Sequence, residues 1–166
     1  MESNFQSFAH LVRHPVKFKF FLFSKLPSAW FSGVRIKSIE ENKCEVTVPF
    51  KWFSQNPFRS TYFACLSMAA EMSTGALAMG YVYKIVPAVS MLVVKTEAEY
   101  FKKATGRTLF TCEDGTLIKK AIEEAISTGE SKSVIAKSVG RNSKGEVVAE
   151  FKIIWSFKVK QVTRNK

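Results

Sequence analysis

Acidic side chains are scarce in this 166-residue chain: 14 Asp and Glu stand against 25 Lys and Arg, a formal charge of +11. Cysteine, histidine and proline are also few, at 3, 2 and 5 residues. Cys44, Cys65 and Cys112 form an odd set without CxxC spacing, which argues against a disulfide framework or a zinc ribbon. They are read as small buried hydrophobes. His10 and His14 lie four apart, but no carboxylate or thiol sits beside them to complete a metal site, so they are read as surface or packing residues. No apolar run approaches the roughly 20 residues of a membrane span. The longest such run near the start, Phe20-Phe21-Leu22-Phe23, is too short for the core of a signal peptide. The expectation is a cytoplasmic protein with no stable membrane span.

What is present is a 46% hydrophobic content, near the globular norm, and an unusual count of 15 Phe. The length suits one domain over 1–166. A basic, Phe-rich chain fits an anionic partner with apolar bulk, such as an acyl-CoA, an anionic membrane or a nucleic acid. It equally fits a basic surface over a Phe-packed core.

Along the chain, Phe5, Phe8, Leu11 and Val12 have helical spacing before Pro15 interrupts. A second helix mixing Lys with Phe is expected over 16–30, so that 1–31 forms a helical segment. Capping the open side of a sheet explains that second stretch with fewer assumptions than lying on a membrane. After Gly33 the period becomes two: Val34 and Ile36, a turn at Glu41-Asn42, then Cys44, Val46, Val48 and Phe50, which together predict a β-hairpin. Residues 58–79 are rich in Ala, Met, Leu and Ser and apolar nearly all round, which predicts a long helix buried on most sides. Strands are expected at 92–101, 107–112, 133–139 and 147–159, the last alternating Phe151, Ile153, Trp155 and Phe157 with polar residues. An amphipathic helix is expected over 115–128. The fold class is therefore α+β, an antiparallel sheet wrapped around a long central helix.

One residue does not fit the central helix. Glu71 is the only acid between Pro49 and Thr96, and a carboxylate is costly to bury unless it is hydrogen-bonded or used. Ser67 and Gly75 lie one turn from it, with Thr74 and Ala78 also on that side, leaving room for a substrate or another chain. It could also reach solvent at a helix edge. Before the helix, Ser54-Gln55-Asn56-Pro57 breaks the chain, and either Asn56 or Ser60 is expected to cap a helical turn. In both cases free N–H groups near Tyr62, Phe63 and Ala64 could bind a developing oxyanion.

The run from Asn56 through Arg59 to Ala64, followed by Met68-Ala69-Ala70-Glu71, resembles a hotdog-fold thioesterase of the phenylacetyl-CoA type, in a domain-of-unknown-function branch. In that family a loop Asn precedes a His-Gly-Gly turn opening the central helix, and an acid follows on the helix. The resemblance implies Glu71 as general base or nucleophile, Asn56 orienting water, the Phe63 backbone N–H polarising the carbonyl, and Ser90 donating a hydroxyl across a dimer interface. It places Tyr62, Ala64, Ser67, Met68 and Gly75 along the acyl group. Lys102, Lys103, Arg107, Lys137 and Arg141 would border a tunnel mouth for coenzyme A phosphates. Coenzyme A enters as part of an acyl-CoA or related thioester substrate, with no separate cofactor or metal, and the protein is expected to be a homodimer or homotetramer. Tyr62, Phe63 and Ala64 replace His-Gly-Gly, so a non-catalytic acyl- or lipid-binding hotdog protein is the alternative. Nucleic acid is not expected as a partner, since the aromatics alternate into a core and no reading motif is present.

Overall fold

The central helix, here α4, spans Phe63–Val82, and its composition explains its place. It lacks a polar face, so neighbours must cover it on several sides. A computed structural model of the chain, describing residues 4–160, shows how. α1 (Asn4–Arg13), α2 (Pro15–Lys25) and α3 (Pro27–Ser32) come first, followed by β1 (Arg35–Ile39) and β2 (Cys44–Val48). After α4 come β3 (Val89–Tyr100), β4 (Thr108–Cys112), α5 (Gly115–Thr128), β5 (Lys132–Arg141) and β6 (Val147–Val159). The first three residues of the N-terminal segment, and the last six of the chain, lie outside the described residues.

The six strands form one sheet in the order β1-β2-β4-β5-β6-β3, and every pairing is antiparallel. Alternate residues Ala136, Ser138 and Gly140 of β5, and Phe151, Ile153, Trp155 and Phe157 of β6, turn inward and are buried. The sheet meets α4 through small contacts. Ser73 and Ser138 hydroxyls hydrogen-bond at 2.8 Å, and Trp155 Nε1 donates to Thr74 Oγ1 at 2.9 Å. The N-terminal helices cover another side of α4, where the Phe5 ring lies so close to Gly80 that a Cβ would sit 2.5 Å from it. All three cysteines are free and buried, and burial pushes the Cys112 thiol up to about 12.

Three boundaries depart from the pattern-based expectation. α4 begins at Phe63 rather than 58, because Asn56 Oδ1 accepts from the N–H groups of Phe58 and Ser60 and from the Ser60 hydroxyl. These bonds, with Arg59 at φ 57°, hold 56–60 in a tight loop rather than a helical turn. Neither Asn56 nor Ser60 caps α4, whose N-cap is Tyr62 without a side-chain cap bond. The single helix expected over 16–30 breaks at Leu26, with Pro27 opening α3. β3 starts earlier than expected, at Val89, and pairs with β6 along its length, from Val89↔Val159 to Tyr100↔Ala149. Its other edge has no partner strand among the described residues.

Candidate functional site

The start of α4 is an open donor site. The Tyr62 N–H donates to Ser54 O and the Cys65 N–H to Tyr62 O. Between them the Phe63 and Ala64 N–H groups have no acceptor among the described residues. These orphan donors carry the positive end of the helix dipole. Phe63 borders a cavity of about 600 Å³ whose lining also includes Asn56, Tyr62, Tyr100, Lys102 and Lys103. Lys102 is paired with Glu146, whereas Lys103 forms no ion pair among the described residues. The Tyr62 and Phe63 rings, both exposed, meet edge to face at 4.8 Å. Phe63 thus carries a ring at a position where a glycine would leave the backbone open.

Along the first nine residues of α4, those not buried by the rest of the chain follow helical spacing: Phe63, Ala64, Ser67, Met68 and Glu71. This is an open stripe, and Ser67 keeps its hydroxyl close to the helix by donating to Phe63 O at 3.1 Å. Glu71 ends the stripe at a second, apolar cavity of about 280 Å³. Its walls include Phe18, Leu22 and Lys25 from α2, Met72 and Gly75 from α4, and Met91 from β3. Although solvent reaches the Glu71 side chain in the single chain, the surrounding apolar atoms desolvate the carboxyl and push its pKa up. No hydrogen bond or ion pair to that carboxylate occurs among the described residues. Gly75 makes room for it, since a Cβ there would lie 3.0 Å from Glu71 Oε1.

The structure thus brings Tyr62, Phe63, Asn56, Lys102 and Lys103 together at one end of the stripe and Glu71 with Gly75 at the other. Eight residues at a rise of about 1.5 Å separate Phe63 from Glu71 by about 12 Å, too far for both to touch one carbonyl within a single chain. The remaining expected residues fall elsewhere. Ser90 sits on the face of β3 opposite Met91 and donates its hydroxyl to Lys158 O at 3.0 Å. Lys137 and Arg141 do not border a tunnel beside α4, because both alternate onto the outer face of β5. There Lys137 pairs with Glu150 at 2.7 Å and Arg141 donates to Gly145 O at 2.9 Å. Arg107 is exposed just before β4 and lines neither cavity. Asn56 lies in the first cavity, but its carbonyl oxygen already serves three donors of its own loop.

Sequence reasoning missed the α2 side chains that wall the Glu71 cavity. The signal was there, in Phe interleaved with Lys between Pro15 and Lys25, but their target lies about fifty residues on in the chain and no local period points to it.

The model of a family described as a domain of unknown function (DUF4442) matches residues 16–157. No curated protein matches the sequence. A protein of unknown function from Pseudomonas aeruginosa, described as a probable thioesterase, superimposes with a TM-score of 0.70 at 20% identity over 93% of this chain and 95% of its own. One of unknown function from Chlorobaculum tepidum reaches 0.74 at 17% identity over 87% and 93%. A thioesterase from Haemophilus influenzae reaches 0.61 at 8% identity over 89% and 93%. At these identities the likeness is one of fold, and the fold is the hotdog arrangement of an antiparallel sheet around a long helix.

Proposed function

This chain belongs to the family of unknown function DUF4442, and from that membership and the geometry of α4 we propose that it hydrolyses an acyl thioester at a site completed between two copies. The observation that carries the reading is the Glu71 carboxylate: desolvated, unpaired among the described residues, and on the same open stripe as the free Phe63 and Ala64 N–H groups. The thioesterase descriptions of structures with the same fold support it.

A site of this kind needs a base and an oxyanion donor a few ångströms apart, while one chain holds them about 12 Å apart along α4. Two stripes packed antiparallel about a two-fold axis set the carboxylate of one copy near the helix start of the other, twice over. The unpaired edge of β3, with Leu92 and Val94 exposed, supplies the surface for such a homodimer, which can pair further into a tetramer. The thioester oxygen accepts from the Phe63 N–H. Glu71 takes a proton from water, and the hydroxide adds to the carbonyl carbon. The C–S bond then breaks, and the leaving thiolate takes that proton while the acid departs. If Glu71 instead attacks directly, its carboxylate oxygen bonds to the acyl carbon, the C–S bond breaks to release the thiolate, and water then opens the mixed anhydride; opening at the Glu71 carboxyl carbon labels that carboxylate in one turnover in ¹⁸O-water, and opening at the acyl carbon labels the product acid. Lys103, which forms no ion pair among the described residues, is the cation at this cavity that takes a coenzyme A phosphate, and the apolar stripe receives the acyl chain.

A panel of short, medium and aryl acyl-CoAs with a thiol reporter tests the reading. The expected result is turnover that falls about a hundredfold or more in Glu71→Ala. No turnover, or turnover untouched by that substitution, overturns it. A second reading, a non-catalytic acyl carrier, is favoured by the full engagement of Asn56 Oδ1 and by the Tyr62 and Phe63 rings at the helix start. Native mass spectrometry showing a retained acyl ligand without hydrolysis selects it.

A further inference from the structure

α2 is apolar on two sides for two different reasons. Phe18 and Leu22 turn inward to the Glu71 cavity, whereas Val16, Phe20 and Phe23, spaced four and three apart, run along the outside and are exposed. The outer row does not end with the helix. Phe23 meets Phe31 of α3 edge to face at 6.4 Å, Phe31 meets Phe53 at 5.6 Å, and Phe53 meets Trp52 at 4.8 Å. Three separate elements therefore converge to build one aromatic strip. Its side chains stand in water: Trp52 is 75% exposed, Phe20 70% and Phe53 56%. A contiguous apolar patch of this kind is uncommon on a free surface and marks a docking site.

The charge around the strip identifies what docks. Residues 3–33, which carry α1 to α3, contain Arg13, Lys17, Lys19 and Lys25 and no Asp or Glu, and residues 46–70 add Lys51 and Arg59, again without an acid. Lys17, Lys19, Lys25 and Lys51 form no ion pairs among the described residues. We propose that this face docks on the surface of an anionic lipid bilayer, with the Phe and Trp rings at the acyl boundary and the lysines on headgroup phosphates. A second copy is a poor occupant, because a two-fold contact sets this positive rim against itself. Attachment is peripheral, since no helix among the described residues is long and apolar enough to cross a membrane. Docking also lays α2 between the bilayer and the Glu71 cavity, so that a lipid-borne acyl chain has a short route inward. That last consequence rests on the thioesterase reading, while the docking itself does not.

The test sediments the full chain with vesicles of phosphatidylcholine alone or with about 30% phosphatidylglycerol, in low salt and in about 0.5 M NaCl. Binding about tenfold or more stronger to the anionic vesicles, lost in high salt and accompanied by a blue shift of tryptophan fluorescence, is expected. Trp52→Ser with Phe53→Ser, and separately Lys17→Glu with Lys19→Glu, should each weaken it about tenfold or more. The oligomer seen by sedimentation velocity and acyl-CoA turnover without vesicles should be unchanged in both. Binding that ignores lipid charge, or variants that bind like the parent, overturns the proposal. Dissociation of the oligomer by the aromatic pair of substitutions does so too, making the strip an interface between copies. Vesicle binding by Glu71→Gln is expected at the parent level, so a protein without hydrolase activity can still pass or fail this test.

Discussion

Glu71 Oε1 rests over Gly75, one helical turn on, at 3.0 Å from where a Cβ would stand, while the Trp155 ring closes the same spot from the sheet side at 3.1 Å. The carboxylate is placed by a missing side chain rather than by a hydrogen bond.

Gly75→Ala separates placement from stability. Alanine gains about 1 kcal/mol of helix propensity, against about 1–3 kcal/mol for overpacking. The net loss is expected to be about 0–2 kcal/mol by urea denaturation, modest beside a fall in acyl-CoA turnover of about tenfold as the carboxylate is displaced.

Desolvation raises the Glu71 pKa in the folded chain, and the sign of its effect on stability follows. Below the unfolded carboxyl pKa both states are protonated and the burial costs nothing. As pH rises through the raised folded value, charge is forced onto a desolvated group and stability is lost. Glu71→Gln is therefore expected to be more stable than the parent at pH about 8 and equal to it at pH about 3.5, as measured by denaturation at both values. In the parent, turnover should rise with pH through a limb above the ordinary carboxylate range, because the base must be ionised.

Asn56 combines a loop brace with an expected role in orienting water. Asn56→Ala strips the acceptor for three donors and should cost about 1–2 kcal/mol. Asn56→Asp keeps the acceptor oxygen while removing the amide donors. Near-parent thermal stability with lost turnover in the Asp variant would mark the amide as catalytic, and retained turnover would leave it a brace alone.

The open edge of β3 is the expected contact between copies. Leu92→Lys with Val94→Lys puts charge on exposed apolar positions of that edge. The double variant is expected to sediment as a monomer and to lose turnover about a hundredfold or more, since base and oxyanion donors then stay about 12 Å apart. A monomer retaining parent activity contradicts a shared site.

The parts legible without coordinates were those governed by local period. Helix α5 was expected over 115–128 and found at Gly115–Thr128, and β6 was expected over 147–159 and found at Val147–Val159. In both, strong amphipathic alternation fixes which face is buried. The start of α4 was misjudged by five residues because a side-chain brace from Asn56 outcompetes helix propensity over 58–60. Lys137 and Arg141 are expected at a tunnel mouth, and proximity along the chain does not reveal which face of β5 meets α4; Ser138, bonded to Ser73, puts them on the opposite face.

By itself the sequence determined the kinds of element, their order, the basic excess and the oddity of one acid in an apolar helix, because these depend on composition and on neighbours within a turn or two. Only the tertiary structure decided that Glu71 and the Phe63 N–H lie at opposite ends of one open stripe, and that α2 shields the first while showing Phe20 and Phe23 to the outside. Those relations are set by packing between segments far apart in the chain, where the total burial of apolar surface, and no local pattern, selects the partners.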